Sequence, residues 1–213
     1  MDAPFAPQRR FEPHMLDMRL LLVLALFFFS TVSGKAETLF AAPNREYSAV
    51  VGQNEFRVHT LSIKRGEKEL FSTATGYGDY TEVSWSPDSE YLAVVARGTK
   101  TTMNLEVYRI EADKVIPVEL PDFRLNILGR FQKIEGGRYQ FDESLDWKKG
   151  PALQFVTRGS LVEGASNPKD DPGNWYHFNV MIGFSSTKAR LLYVSPKDPD
   201  QQPGVAKPAK AGD

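Results

Sequence analysis

The chain contains no cysteine among its 213 residues. This absence excludes disulfide bonds, thiolate metal ligands and a cysteine nucleophile. A chain without cysteine can still be exported, provided that its hydrophobic core is large enough to be stable without crosslinks. Hydrophobic residues make up 41% of the sequence and aromatic residues 12%, which is sufficient for such a core.

The sequence also lacks an excess of charge of either sign. It has 26 lysine and arginine residues against 27 aspartate and glutamate residues, which gives a formal net charge of −1. Proteins that bind a nucleic-acid backbone usually present a clearly basic surface, and the sequence has no lysine–arginine run. We therefore expect no nucleic-acid partner.

Catalytic and metal-binding motifs are missing from the part of the sequence that is expected to fold. It has no Gly-x-Ser-x-Gly motif and no phosphate-binding loop. His59 and His177 lie in predicted strands without a second ligand nearby, whereas a zinc site needs three or four ligands. The segment 170–174 does not match the spacing of an EF-hand and reads as a surface turn. We expect no metal, no cofactor and no enzymatic activity.

Long hydrophobic runs are rare, and the one that is present lies near the start of the chain. Residues 20–29 are apolar throughout, Arg19 precedes them, and Gly34-Lys35-Ala36 follows as a small-x-small site suited to a signal peptidase. The pattern predicts a signal peptide over residues 1–36 and a protein that is exported, either periplasmic or secreted. Met15 or Met18 is an alternative start that would give a leader of ordinary length.

An uncleaved signal anchor is the alternative interpretation of this leader. The apolar run is too short for a hydrocarbon core of about 30 Å, which requires roughly 20 apolar residues. We therefore favour cleavage, and we expect membrane attachment only if the leader is retained.

The folded part contains an internal repeat. Residues 42–51 (APNREYSAVV) match residues 86–95 (SPDSEYLAVV), 44 positions later, at six of ten positions. A fainter third copy pairs Trp85 with Trp147 and residues 92–99 with residues 153–160. In each clear copy a proline and an Asn or Asp predict a tight turn before a buried strand. Repeats of this length indicate that one structural unit recurs along the chain.

Further β-strands are predicted after each repeated strand. Segments 56–63, 103–110 and 176–182 alternate apolar and polar residues, as half-buried strands do. Short closing strands are predicted at 69–72, 115–119 and 190–194, with hairpin turns at 64–67 and 111–114.

Three segments do not follow this pattern of strands and hairpin turns. Residues 120–131 have helical spacing with Asp122 as the cap, and residues 159–174 are rich in turn-forming residues and predict an exposed loop. The proline-rich tail, residues 196–213, predicts disorder. The domain organisation is therefore a leader (1–36), an all-β domain (37–195) and a tail.

The string from Trp85 to Ala93 (WSPDSEYLA) resembles the signature of WD40-like β-propeller repeats of the TolB and prolyl oligopeptidase type. The resemblance is strong over residues 83–97, fair over 41–52 and marginal over 145–160. It implies an all-β fold of antiparallel sheets in tandem propeller-like blade units, with a short helical connector. Ser89 departs from the pattern, because the family usually has glycine at this position.

The number of units also departs from the family. Closed propellers have about 4–8 blades, whereas about three units can be counted here. An open array would expose an apolar face at each end. We expect the segments 120–131 and 159–174 to cover these faces, and a partner protein is the alternative.

A possible binding rim follows from the resemblance. Arg97 and Arg158 end equivalent strands and would lie on the same rim of a blade stack. The nearby residues Asp79, Tyr80 and Glu82 would contribute to the same surface. The alternative is that the two arginines are turn-flanking charges without a binding role.

Three functions are compatible with these features. The resemblance favours an exported, non-catalytic binding or assembly module that meets a protein partner. An exported hydrolase or hydrolase accessory is the second hypothesis, since these repeats also occur in peptidases. A membrane-tethered component of the cell envelope is the third, and it requires an uncleaved leader.

Overall fold

The computed structural model describes residues 37–56, 58–74, 78–131, 138–165, 169, 172–185 and 188–197. The predicted leader and residues 198–213 of the predicted tail lie outside this part. The described residues form twelve β-strands, one α-helix and a short 3-10 turn at Pro172–Asn174. The strands and the helix are β1 (Thr38–Ala41), β2 (Tyr47–Gln53), β3 (His59–Arg65), β4 (Lys68–Ala74), β5 (Tyr80–Trp85), β6 (Tyr91–Arg97), β7 (Thr102–Glu111), β8 (Lys114–Pro117), α1 (Phe123–Leu128), β9 (Gln140–Lys148), β10 (Ala152–Ser160), β11 (Trp175–Phe184) and β12 (Ala189–Pro196). None of the helices in these residues is long and apolar enough to cross a membrane.

The strands form two sheets of mostly antiparallel pairs. The first sheet has four strands in the order β1-β2-β3-β4, and we name it the first meander. The second sheet has eight strands and contains two further four-stranded meanders, β5–β8 and β9–β12. These are joined by a short parallel pairing of Thr102 with Gln140 and of Met103 with Phe141. The prediction of an all-β chain with antiparallel sheets is confirmed.

The two clear copies of the repeat have the same local structure. Asn44 Oδ1 accepts the Glu46 N–H at 2.9 Å, and Asp88 Oδ1 accepts the Glu90 N–H at 3.0 Å. The next residue of each turn has a positive φ, and Gly150 at the matching position of the third copy has a φ of 78°. Glycine is the residue that adopts this conformation without steric cost. The third copy has glycine at this position, whereas the first two copies have Arg45 and Ser89.

The meanders are also linked in a repeated way. The Tyr47 hydroxyl donates to the carbonyl of Ala112 at 3.1 Å, in the hairpin turn between β7 and β8. The Tyr91 hydroxyl donates to the carbonyl of Ser185 at 3.3 Å, beside the turn between β11 and β12. Each tyrosine hydroxyl therefore donates a hydrogen bond to the last hairpin of the following meander.

The three meanders pack on one another through two hydrophobic cores. The first core joins the first and second meanders and contains Tyr47, Leu61, Ile63, Leu92 and Val94. The second core joins the second and third meanders, and its members include Tyr91, Ala93, Phe155, Phe178 and Ile182. Strand β6 contributes alternate residues to both cores, which explains why its sequence is almost wholly apolar.

The helix does not cover an outer face, contrary to expectation. Asp122 caps it as predicted, since its carboxylate accepts the Leu125 N–H at 3.0 Å. Phe123 and Ile127 are buried in the second core, and the Phe123 ring meets the Phe155 ring at a centroid distance of 5.1 Å. The segment therefore fills the space between two meanders.

The predicted loop 159–174 is only partly a loop. Gly159 and Ser160 belong to β10, and Leu161 and Ala165 are buried. Residues 166–168, 170 and 171 lie outside the described residues. The apolar Leu161 packs into the second core, and this anchors the start of the segment.

The outer faces of the first and third meanders differ in polarity. On the first meander the face opposite the core is mostly polar, and it carries Ser48, Thr60, Ser62, Lys64 and Glu69 together with Leu39, Ala41, Val50 and Ala74. On the third meander the corresponding face mixes the polar side chains of Gln154, Arg158, His177 and Asn179 with the apolar side chains of Phe141, Val156, Trp175, Met181 and Tyr193. An apolar end face is therefore not found on the first meander, whereas the third meander carries apolar side chains on its outer face.

Candidate functional site

The two predicted rim arginines lie on one continuous row of paired strand residues. The row runs through the partners Arg97, Met103, Phe141, Arg158 and His177 on five neighbouring strands. Adjacent strands are spaced by about 4.8 Å, so the backbones of the two arginines are about 15 Å apart. The structure therefore brings Arg97 and Arg158 to the same level of the sheet, and we name this row the rim.

Aromatic and acidic side chains surround Arg158. Its guanidinium lies 5.0 Å from the centroid of the Phe141 ring, and its Nε is 3.3 Å from Glu143 Oε1. The Phe141 ring is stacked on Tyr139 at 6.2 Å, and Tyr139 in turn stacks on Trp175 at 5.5 Å. Arginine, tyrosine and tryptophan are the residues that dominate protein interfaces.

The other predicted rim residues have different surroundings. Asp79 is exposed, its Oδ1 is 2.6 Å from His59 Nε2, and its carbonyl accepts the Arg97 N–H at 3.1 Å. Tyr80 is buried in the first core, and this burial raises the pKa of its phenol. Glu82 accepts the N–H groups of Ser144 and Leu145 at 2.8 Å and 2.6 Å. Asp79 therefore lies beside Arg97, whereas Tyr80 and Glu82 contact other strands.

Glu82 stabilises an irregular point of β9. Ser144 has a φ of 62°, and the pairing of β9 with β10 shifts by one residue next to it. The shift leaves the amides of Ser144 and Leu145 available to a side chain, and the Glu82 carboxylate binds both. The local sequence of Glu82 does not indicate this contact, because the contact depends on which strands lie beside β5 in the folded chain.

A second candidate surface is a groove of about 930 Å³ along one edge of β7. Strand β8 pairs with residues 108–111 of β7, and β9 pairs with residues 102 and 103. The edge between these two pairings forms the floor of the groove. Phe71 and Thr73 of β4 line one wall, and the residues 117–125 line the other.

Acidic side chains predominate around the groove. Glu106, Glu119 and Asp122 line it, and Arg124 is the one basic residue among its described lining residues. Glu106 Oε2 accepts the hydroxyl of Tyr108 at 2.6 Å. The Leu125 side chain lies at the wall and is 67% exposed.

Arg124 is neutralised by a buried carboxylate beneath the groove. Asp142 has no exposed surface, and its Oδ2 lies 2.6 Å from an Arg124 guanidinium nitrogen and 3.0 Å from the Leu105 N. Burial raises the pKa of Asp142, although Arg124 and the Leu105 amide oppose this effect. The carboxylate takes the place of a strand partner for Leu105, at the point where β7 and β9 diverge.

Asp142 and Glu143 face opposite sides of β9, as adjacent residues of a strand do. Asp142 is buried beside Thr157, whereas Glu143 lies near Arg158 on the outer face. In the described part of the chain, no group of three or more His, Asp or Glu side chains is arranged to hold a metal ion.

Comparison with known proteins gives no relative from which a function could be transferred. No family model, no curated protein and no solved structure matches the chain. The class of protein defined by fold and surfaces is therefore a cysteine-free, mostly β chain of three antiparallel meanders with two candidate binding surfaces.

Proposed function

We propose that this chain is an exported, non-catalytic binding or assembly module built from propeller-like blade units. The observation that carries the proposal is the repeated link between meanders through Tyr47 and Tyr91. A tandem array requires that each unit contacts only its neighbours and uses the same contacts each time. The resemblance of residues 83–97 to WD40-like repeats gives independent support from the sequence.

The rim is the surface proposed to bind a protein partner. It combines a half-exposed arginine, Arg158, with the partly exposed ring of Phe141, and the adjacent Tyr139 stacks on Phe141. Trp175 is 7% exposed and holds the Tyr139 ring through a second stacking contact. Rigid aromatic rings beside an arginine supply contact area at a low cost in conformational entropy. Arg97 adds a second positive charge, and no acidic side chain forms an ion pair with it among the described residues.

Export is proposed from the leader. The basic start, the apolar run of residues 20–29 and the site at Gly34-Lys35-Ala36 are features of secretory signals. The intact mass of the exported protein tests this part directly. A mass that corresponds to a chain beginning near residue 37 supports it, and a full-length mass supports a retained anchor instead.

Site-specific photocrosslinking in the native host tests the binding proposal. A photoreactive amino acid at Tyr139 or Arg158 is expected to give one discrete adduct of higher mass. The control carries the same amino acid at Lys64, on the outer face of the first meander. Equal adducts at all three positions, or none at the rim, would contradict the proposal.

A further inference from the structure

The groove beside β7 has a chemistry that differs from that of the rim. Its accessible apolar side chains include Phe71 of β4 and Leu125 of α1, whereas Leu105 and Val107 of β7 are buried in the second core. None of the rim residues lines it. The groove is therefore a surface separate from the rim.

The charge of the groove is negative. Three carboxylates, those of Glu106, Glu119 and Asp122, line it. The single guanidinium, that of Arg124, is already paired with the buried carboxylate of Asp142 at 2.6 Å. A ligand with positive charge would therefore be attracted to the groove, and one with negative charge would be repelled.

Leu125 supplies an apolar contact at the wall of this acidic groove. The side chain is 67% exposed although the same helix buries Phe123 and Ile127 fully and Leu128 in part. A single exposed leucine is ordinary on a protein surface. Here, however, it lies in a groove that is also lined by carboxylates and by the partly buried Phe71, so one ligand can contact charged and apolar groups together.

We propose that this groove binds a cationic, aliphatic segment of a protein partner. Lysine or arginine side chains of the segment would meet Glu106 and Glu119, and its aliphatic side chains would pack on Leu125 and Phe71. Between the pairings with β8 and β9, the Val107 carbonyl already accepts the Val118 N–H at 2.8 Å, and the Leu105 N–H already donates to Asp142 at 3.0 Å. The segment would therefore bind through its side chains and would not add a strand to β7.

The test uses the full-length chain and two short fluorescein-labelled peptides, one of alternating lysine and leucine and one of alternating glutamate and leucine. Fluorescence anisotropy measures binding of each peptide at low and at high salt. We expect the lysine–leucine peptide to bind, with an affinity that falls as salt is added, and the glutamate–leucine peptide not to bind.

Two variants locate the binding site, and each has a matched control. Glu119→Lys reverses one groove charge, and its control Glu163→Lys reverses an exposed charge outside the groove. Leu125→Ser removes the exposed leucine, and its control is Leu39→Ser, at a leucine of 66% exposure on the first meander. All four positions are exposed, so circular dichroism should show a fold identical to that of the parent chain.

Each groove variant is expected to weaken binding of the lysine–leucine peptide by about fivefold or more, and each control by less than about twofold. The proposal is overturned if that peptide does not bind below about 1 mM. It is also overturned if the glutamate–leucine peptide binds equally well, or if the groove variants bind as tightly as their controls.

Discussion

The indole N–H of Trp147 donates a hydrogen bond to the carbonyl of Ser84 at 3.1 Å. The indole N–H of Trp85 makes the same bond to the carbonyl of Phe40 at 2.9 Å. Phe40 and Ser84 are separated by the 44 residues of the sequence repeat. Each tryptophan therefore connects the first strand of its own meander to the first strand of the preceding one.

Replacement of either tryptophan by phenylalanine should destabilise the protein by a similar amount. The change keeps an aromatic ring but removes the N–H donor, which leaves a carbonyl oxygen without its partner. We expect a loss of about 1–2 kcal/mol for Trp85→Phe and for Trp147→Phe, measured by urea unfolding. A loss in one variant and none in the other would show that the two contacts are not equivalent.

The equivalence of these contacts shows what the sequence could reveal. The repeat of residues 42–51 and 86–95 predicts the turns and the buried strands, because turns and buried strands depend on local residue order, and the fainter third copy predicts that Trp85 and Trp147 occupy equivalent positions. The burial of Tyr80 and Asp142 depends on which strands lie opposite them, and one sequence does not specify this.

The outer face of the third meander shows the same limit in another form. Gln154 and Arg158 lie on the outer side of β10, but Val156 lies between them on the same side. The alternation of residues in this strand therefore does not indicate which of its two sides a neighbouring sheet covers.

Gly159 is required by a close approach of the chain to Tyr176. A Cβ atom at this position would lie less than 3.0 Å from the Tyr139 carbonyl oxygen and from the Tyr176 hydroxyl oxygen. The carbonyl belongs to the backbone directly before β9 and accepts the Ser160 N–H at 3.0 Å, so it cannot move aside without disturbing this contact between the start of β9 and the end of β10. We expect Gly159→Ala to lower the free energy of unfolding by about 3 kcal/mol, as measured by urea denaturation.

Gly164→Ala is the matched control for this substitution. A Cβ atom at Gly164 would meet no atom within 4 Å, so the change should be within about 0.5 kcal/mol of the parent chain. A tolerated Gly159→Ala would mean that Tyr176 does not lie over this position.

Tyr176 should make the protein sensitive to alkaline pH. Burial raises the pKa of its phenol to about 12, above the value of about 10 expected in the unfolded chain. The neutral phenol is therefore favoured in the folded state. Its contribution to stability is complete below pH 10 and is lost as the pH rises through 12.

Comparison with Tyr176→Phe measures this contribution. The variant cannot ionise at this position, so its free energy of unfolding should fall less between pH 10 and 12 than that of the parent. Absorbance at 295 nm should show one fewer late-titrating tyrosine. Identical pH profiles would indicate that Tyr176 titrates as an exposed residue.

Asp142 and Arg124 form the contact on which the junction of β7 and β9 depends. Asp142→Ala removes the acceptor of the Leu105 N–H and leaves the guanidinium of Arg124 without its partner. Removal of one member of a fully buried pair costs about 3–5 kcal/mol. The Arg124 side chain is 25% exposed, so water can partly solvate its guanidinium. We therefore expect a loss near the lower end of this range, about 3 kcal/mol, for Asp142→Ala, measured by urea unfolding.

The double variant separates the ion pair from the backbone contact. If the unpaired charge causes most of the loss, Asp142→Ala combined with Arg124→Met should be more stable than Asp142→Ala alone. Asp142→Asn should recover part of the loss as well, because its amide oxygen can still accept the Leu105 N–H. A double variant that loses the sum of the two single losses would show that Asp142 and Arg124 act independently, and the junction would then depend on the bond to Leu105 alone.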